Sequence, residues 1–370
     1  VGIDAFSCIL FDYLRCIHRP IKFAVLKIAA IVLNILLNIL YLIVMPELHL
    51  NPFGIYDSAF HLDVAWVFYI NMFCTISTTL LLWRECKGIT NGFDKLLCKR
   101  MLAYSMPIFV MGIAGQLNQC LSQILFPYLY DGTPREASTQ LGIYGACIKV
   151  AMIMVMITQA FRFAYEPFVF GKSRDSDNKE TYAKVMKFYI IFTLLAFLAV
   201  VGYIDVLRYV VGKSYWDGLR VVPIVMAAEI MFGVFFNLSF WYKLTDRTIW
   251  GAWFSGLGCI VLIAVNVLFV PVYGYMACAW AGFAAYGISM VVSYFAGQKY
   301  YPVPYPLRDI AFYVVVAIVL FVAIEFSNAT MPLWGAILVN TLLLAVFAGI
   351  IIRRDMPLSA LPIVGRYFHR

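Results

Sequence analysis

The sequence predicts an all-α polytopic membrane protein, on three observations. About ten apolar runs recur along the chain, and each approaches the roughly 20 residues that an α-helix needs to cross a bilayer. The Lys and Arg residues between the runs fall almost entirely in every second loop. The 370 residues are 63% hydrophobic and only 13% charged, which excludes an ordinary soluble domain. The runs cover residues 22–45, 64–83, 102–124, 141–163, 184–204, 220–240, 250–270, 275–296, 308–325 and 332–352.

The basic loops define the predicted orientation. Their positive residues are Arg15, Arg19, Lys22, Arg84, Lys87, Lys95, Lys99, Arg100, Lys172, Arg174, Lys179, Lys184, Lys187, Lys243, Arg247, Lys299, Arg308, Arg353, Arg354, Arg366 and Arg370. The opposite loops contain only Arg135, Arg208 and Lys213, with Arg220 at the edge of a run. Because positively charged loops stay on the cytoplasmic side, we expect an inner-membrane protein with a cytoplasmic C-terminus.

Several other classes of function are disfavoured. The net charge of +8 is the positive-inside excess, so it does not indicate nucleic-acid binding. The nine Cys are scattered and the four His lie far apart, so we expect no metal site, no disulfide framework and no cofactor. Walker A, GxSxG and HExxH motifs are absent from the sequence, which argues against an enzyme.

A weak internal repeat suggests how the runs are grouped. Segment 15–46 aligns with 243–271 at a constant offset until its end, which matches Arg19 with Arg247 and Asn38 with Asn266. Both segments run outward from a basic loop, so the repeats are parallel. The first complete run therefore corresponds to the seventh, which predicts a plan of six, six and two spans. On this plan most of the first four spans precede the chain, and residues 1–11 are the end of the fourth.

The same plan predicts three regions. Residues 1–101 are the remnant of an N-terminal lobe with the linker that follows it. Residues 102–299 form a C-terminal lobe of six helices. Residues 300–370 are two extra helices and a cytoplasmic tail.

The chain resembles the Wzx-type polysaccharide flippases, in a form common among Bacteroidetes, within the multidrug/oligosaccharidyl-lipid/polysaccharide exporter superfamily. The resembling stretches are RPIKFAVLKI (19–28), MLAYSMPIFVMGIAGQLNQ (101–119), LGIYGACIKVAM (141–152), QAFRFAYEPFVF (159–170), SFWYKLTDRTIWGA (239–252), PVYGYMACAWAG (271–282) and SYFAGQKYYPVPY (293–305). The resemblance implies a fold of two six-helix lobes plus two C-terminal helices.

It also implies transport of an undecaprenyl-pyrophosphate-linked oligosaccharide for lipopolysaccharide O-antigen or another surface polysaccharide. The expected partners are this lipid-linked oligosaccharide, membrane lipids and the polysaccharide polymerase machinery. Two alternatives on the same fold are a cation-coupled multidrug exporter and a lipid II flippase. An enzymatic rival, a polyprenyl-linked sugar polymerase or ligase, is expected to carry a long charged outer loop, which this sequence lacks.

Charged residues inside the runs are the first candidates for substrate contact, because a charge at bilayer depth is costly and usually faces a cavity or a partner. Lys149 lies about 12 Å inside the fourth run at helical rise, where it suits a pyrophosphate or is neutralised by a neighbouring helix. Glu229 is almost level with it in the sixth run. We therefore expect Lys149 and Glu229 to share a polar network.

Two further groups of polar residues complete the candidates. Gln159, Arg162 and Glu166 share one face at the cytoplasmic end of the fourth run. Arg162 either pairs with Glu166 or meets the substrate. Gln116, Asn118 and Gln119 in the third run are suited to sugar hydroxyls or to hydrogen bonds between helices. The recurrence of Asn38 as Asn266 favours a structural hydrogen bond at both positions.

Overall fold

The chain is built of helices throughout the part that the computed structural model describes, namely residues 2–16, 19–45, 65–83, 94–172, 178–245 and 247–355. The long helices are α1 (Gly2–Cys16), α2 (Pro20–Ile39), α3 (Ala65–Trp83), α4 (Lys95–Leu129), α5 (Pro134–Lys172), α6 (Asn178–Gly202), α7 (Val221–Leu238), α8 (Ile249–Tyr273), α9 (Tyr275–Tyr300), α10 (Leu307–Thr330) and α11 (Leu333–Arg354). A π-helical turn, Leu40–Val44, extends α2, and short helices connect α6 with α7.

Within the described ranges, nine helical segments are long and apolar enough to cross a membrane. They match nine of the ten predicted spans, and the all-α polytopic fold class is confirmed. The remaining predicted span, 102–124, lies inside the longer helix α4, which is not among the nine.

The chain divides into two compact units, Val1–Lys95 and Leu96–Arg370. This division falls a few residues before the predicted boundary at 101. In the first unit, α1, α2 and α3 pack against one another around Leu10, Phe11, Leu14 and Leu82. The predicted basic loop containing Arg84, Cys86 and Lys87 lies outside the described residues, as do the outer loop 46–63 and the tail with Arg366 and Arg370.

The second unit is organised around α7. This helix packs against α5, α6 and α9, and α8 packs along α9. The turn between α8 and α9 is tight and passes through Gly274, whose φ of 54° lies in the left-handed region that favours glycine. The helices α10 and α11 pack against α6, so the two extra helices predicted at 300–370 belong to the same compact unit as α5–α9.

Paired charges join α10 and α11 to α6 at one end. Lys187 on α6 lies 3.0 Å from Asp309 on α10 and 2.6 Å from Asp355 at the end of α11. Arg354 lies 2.6 Å from Asp309, and the Tyr313 hydroxyl donates a hydrogen bond of 2.5 Å to Asp355. These charges fall on the side predicted to be cytoplasmic.

Neutral hydrogen bonds join the same three helices at the other end. The buried Asn340 of α11 donates to the carbonyl of Gly202 at 2.8 Å and to the side chain of Asn328 at 2.8 Å. Tyr203 and Thr341 hydrogen-bond through their hydroxyls at 2.9 Å. With polar contacts at both ends and an apolar core between them, α6, α10 and α11 pack against one another as a group of three helices.

Candidate functional site

A carboxylate is buried in the middle of the second unit. Glu229 lies on α7 at the face that packs against neighbouring helices, and only 7% of the residue is exposed. Among the described groups none forms a hydrogen bond with its Oε2 atom. The guanidinium of Arg162 on α5 interacts with it electrostatically. Burying an ionisable side chain within a membrane-spanning helix is costly. A carboxylate whose Oε2 atom has no hydrogen-bond partner among the described residues therefore indicates a functional role and not a stabilising one.

Three buried tyrosines surround the carboxylate. Tyr144 on α5, Tyr189 on α6 and Tyr286 on α9 are each within electrostatic range of Glu229. The Tyr189 hydroxyl also hydrogen-bonds that of Thr158 at 3.0 Å. We call Glu229, Arg162 and the three tyrosines the Glu229 cluster. The sequence interpretation missed the tyrosines because it sought candidates only among charged and amide side chains.

The Glu229 cluster depends on a close approach of two helices. Gly233 lies one turn after Glu229 on α7, and the ring of Tyr189 lies directly against it. A Cβ atom at this position would overlap the Tyr189 hydroxyl. Glycine therefore allows Tyr189 to reach past α7 toward Thr158.

Arg162 is held by aromatic rings at the predicted cytoplasmic end of the cluster. Its guanidinium lies 4.2 Å from the ring centroid of Phe236 and 5.8 Å from that of Phe232. The ion pair that Glu166 forms is with Lys243, at 3.4 Å, and not with Arg162. Of the two alternatives expected for Arg162, the ion pair with Glu166 is not formed, because Glu166 pairs with Lys243 of the short helix Phe240–Leu244. This leaves the guanidinium half-buried against π faces, a geometry that retains hydrogen-bond donors for another group.

The expected network between Lys149 and Glu229 is not formed. Lys149 is exposed on α5, whereas the buried stripe of that helix runs through Cys147, Met154 and Thr158. The two charges are also not level: Cys147, two residues from Lys149, contacts the carbonyl of Tyr215 before the start of α7, whereas Arg162 lies beside Phe232, close to Glu229 on the same helix. The electrostatic partner of Glu229 is Arg162 instead.

The other predicted site residues are dispersed. Gln159 is half-buried on α5, and Gln116 and Gln119 lie on the exposed face of α4. The side chain of Asn118 lies outside the described part of the structure. Across the described ranges, no three His, Cys, Asp or Glu side chains come together as metal ligands.

An apolar groove of about 710 Å³ lies between α6, α7, α9 and α10. Its walls include Ile190 of α6, Met231 and Val234 of α7, Tyr294 of α9 and Val314 of α10. Met231 is two residues from Glu229, so one helix contributes both to the groove and to the Glu229 cluster. The apolar groove and the buried carboxylate therefore lie on different faces of the same helix.

The described helices have a multi-span exporter fold. The solved structure of the lipid II flippase MurJ, in an inward closed conformation, matches with a TM-score of 0.60 and 15% sequence identity. The match covers 78% of this chain and 62% of that protein, so the chain spans less than two thirds of its length. No family model and no curated protein matches the sequence. At this identity the likeness shows the fold.

Proposed function

We propose that this protein is a flippase, not an enzyme, and that it moves a polyprenyl-pyrophosphate-linked oligosaccharide across the inner membrane for surface polysaccharide biosynthesis, such as that of O-antigen. The proposal depends on one observation: the helix α7 contributes both to an apolar groove and to a buried charged cluster. Such a substrate has a long hydrocarbon tail and an anionic, hydroxyl-rich head, and it needs both environments at once. The exporter fold supports the proposal independently.

Each part of the substrate has a proposed site. The groove between α6, α7, α9 and α10 takes the polyprenyl tail, because its walls are apolar. Arg162 binds the pyrophosphate, since a guanidinium group is a usual phosphate ligand. Lys149 lies thirteen residues earlier on α5, about 20 Å away at helical rise, and binds the pyrophosphate at a later stage of the outward crossing. The amides of Gln116, Asn118, Gln119 and Gln159 hydrogen-bond the sugar hydroxyls.

Glu229 couples binding to movement in this mechanism. In the structure, Arg162 interacts electrostatically with Glu166 and with Glu229. A pyrophosphate that binds Arg162 competes with both carboxylates and leaves Glu229 buried without its counter-charge. Because a ligand shifts a conformational equilibrium only by its differential affinity, this competition gives the substrate a means to favour one state of an alternating-access cycle.

The direct test is flipping by the purified full-length protein in liposomes. The substrate is a fluorescent undecaprenyl-pyrophosphate oligosaccharide, and its appearance in the outer leaflet is followed by quenching. We expect Arg162→Gln to reduce flipping by about tenfold or more, since a charged hydrogen bond contributes roughly 1.5–3 kcal/mol. Arg353→Gln, an exposed cation at the end of α11, is the matched control and should retain the wild-type rate. Wild-type protein that flips no lipid-linked sugar contradicts the proposal.

Lipid II is the second candidate substrate, and the likeness to the lipid II flippase favours it. The same liposome assay distinguishes the two. If lipid II is flipped and the lipid-linked oligosaccharide is not, the protein serves peptidoglycan synthesis instead.

A further inference from the structure

A second polar site lies in the first unit, where the described helices α1, α2 and α3 enclose a cleft of about 270 Å³. Its polar lining is unusual for helices that cross a membrane. The polar and charged lining residues are Asp4, Ser7, Lys27, Asn34, Asn71, Thr75 and Thr78. Polar groups at this depth need partners, and a cleft that exposes several of them is suited to a polar ligand.

The hydroxyls of the cleft offer acceptors. Thr78 donates its hydrogen to the carbonyl of Cys74 at 2.7 Å. Ser7 bonds the carbonyl of Ile3 at 3.0 Å and the hydroxyl of Thr79 at 2.5 Å. With its hydrogen committed, the oxygen of Thr78 presents lone pairs to the cleft, whereas Ser7 is buried and engaged with both neighbours.

The amides supply donors beside those acceptors. Asn34 donates to the side-chain oxygen of Asn71 at 3.2 Å and accepts a hydrogen bond of 2.9 Å from Asn38. Because the oxygen of Asn71 is engaged, its amide nitrogen remains the group that it can offer to a ligand. Donors and acceptors therefore alternate, and a sugar hydroxyl, which both donates and accepts, matches this pattern.

The two charges of the cleft lie at opposite ends of it. Lys27 packs its ammonium over the ring of Phe11, 4.8 Å from the centroid, so these two residues are level. Asn34 is seven residues beyond Lys27 on α2, about 10 Å at helical rise. Asp4 is seven residues from Phe11 on the preceding helix α1, also about 10 Å away. The ammonium thus marks the predicted cytoplasmic end, and the carboxylate and amides mark the mid-membrane end.

We infer that this cleft binds a sugar phosphate, with the phosphate on Lys27 and the sugar hydroxyls on Asp4, Asn34, Asn71 and Thr78. The cleft volume is below the roughly 300–1,000 Å³ of drug-sized pockets, which suits one sugar residue and not an oligosaccharide. The inference deepens the proposed function and rests on it, since the ligand is the phosphate-bearing end of the transported molecule or a free sugar phosphate of the same chemistry.

Binding is tested on the full-length protein in detergent by saturation-transfer difference NMR, with glucose 1-phosphate, glucose and inorganic phosphate as probes. Wild-type protein should saturate the ring protons of glucose 1-phosphate. We expect Thr78→Val and Lys27→Met each to weaken its affinity by about tenfold, the effect of one lost hydrogen bond or charge. The control is Ser77→Ala on α3, because Ser77 bonds the carbonyl of Phe73 and does not line the cleft.

The outcomes separate the two proposals. No transfer to glucose 1-phosphate in the wild type, or equal transfer in all variants, overturns the sugar-phosphate site. Competition by the undecaprenyl-pyrophosphate oligosaccharide supports the site and assigns its ligand to the transported lipid. Undiminished binding in its presence supports the site for a free sugar phosphate. Failure of the flipping assay with normal glucose 1-phosphate binding contradicts the proposed function alone.

Discussion

Lys187 on α6 lies 2.6 Å from Asp355 at the end of α11, and the two side chains are only 12% and 14% exposed. The same ammonium lies 3.0 Å from Asp309 on α10. One lysine therefore holds both C-terminal helices to the neighbouring bundle. The pair is more buried than a surface ion pair, so its removal should lower the free energy of unfolding measurably.

The first prediction concerns this lysine. Lys187→Met should lower the free energy of unfolding by about 1.5–3 kcal/mol, because it removes the charged hydrogen-bond donor of Asp355, whereas Asp309 keeps its pair with Arg354. Thermal unfolding in detergent measures the change. Lys184→Met is the matched control, since Lys184 and Glu180 lie 4.0 Å apart and are 72% and 64% exposed. An exposed pair contributes only about 0.3–0.5 kcal/mol, so equal shifts in the two variants would contradict the prediction.

The second prediction concerns the contact between α6 and α7. Gly233→Ala should destabilise the protein by about 1–3 kcal/mol, because the new methyl group overlaps the Tyr189 hydroxyl and forces the helices apart. Tyr189→Phe in the same chain should recover part of the loss, since it removes the nearest atom. Gly256→Ala on α8 is the control: its Cβ would meet nothing within 4 Å. Improved helix propensity should make that variant equal to or more stable than the wild type.

The third prediction identifies the partner of Glu229. A double-mutant cycle of Glu229→Gln with Arg162→Gln should give a coupling energy of about 0.5–3 kcal/mol in unfolding experiments, because the two charges interact. The parallel cycle of Glu229→Gln with Lys149→Gln should give a coupling within about 0.5 kcal/mol of zero. Coupling to Lys149 of the same size as that to Arg162 would restore the network expected from the sequence.

The fourth prediction concerns orientation. In a variant in which Cys98 is the sole cysteine, a membrane-impermeant maleimide should react only after cells are permeabilised, because the start of α4 is predicted to be cytoplasmic. Asp131→Cys in an otherwise cysteine-free chain is the opposite control: Asp131 is exposed between α4 and α5, and its replacement should react in intact cells. The reverse labelling pattern would invert the topology.

The internal repeat predicted local structure correctly at one pair of positions. Asn38 donates a hydrogen bond of 2.8 Å to the carbonyl of Asn34, and Asn266 donates one of 2.8 Å to the carbonyl of Leu262, in each case four residues back. The structural hydrogen bond expected at both positions is confirmed. It was predictable because a buried amide in an apolar helix finds its nearest acceptor on its own backbone.

The candidate site was only partly predictable, because hydropathy places each span but does not give the register or the rotation of one helix against another. Span positions follow from hydropathy, since lipid forces apolar surfaces outward over a fixed length. Whether Lys149 or Arg162 meets Glu229 depends on how α5 is rotated against α7. The rotation is set by packing, including the contact of Cys147 with the carbonyl of Tyr215 and the core that Met154 shares with Met226, and no local sequence pattern specifies it.

The apolar groove is built entirely from helices of one compact unit, and this has a thermodynamic consequence for transport. If that unit moves as a rigid body, the proposed tail site is the same in every conformation, and the tail binds all of them equally well. A part of the ligand that binds two states with equal affinity lengthens the time for which the ligand stays bound. It does not shift the equilibrium between the two states. The free energy that favours one conformational state must then come from the charged head alone. Shortening the polyprenyl chain should therefore weaken substrate binding without changing which state the bound substrate favours.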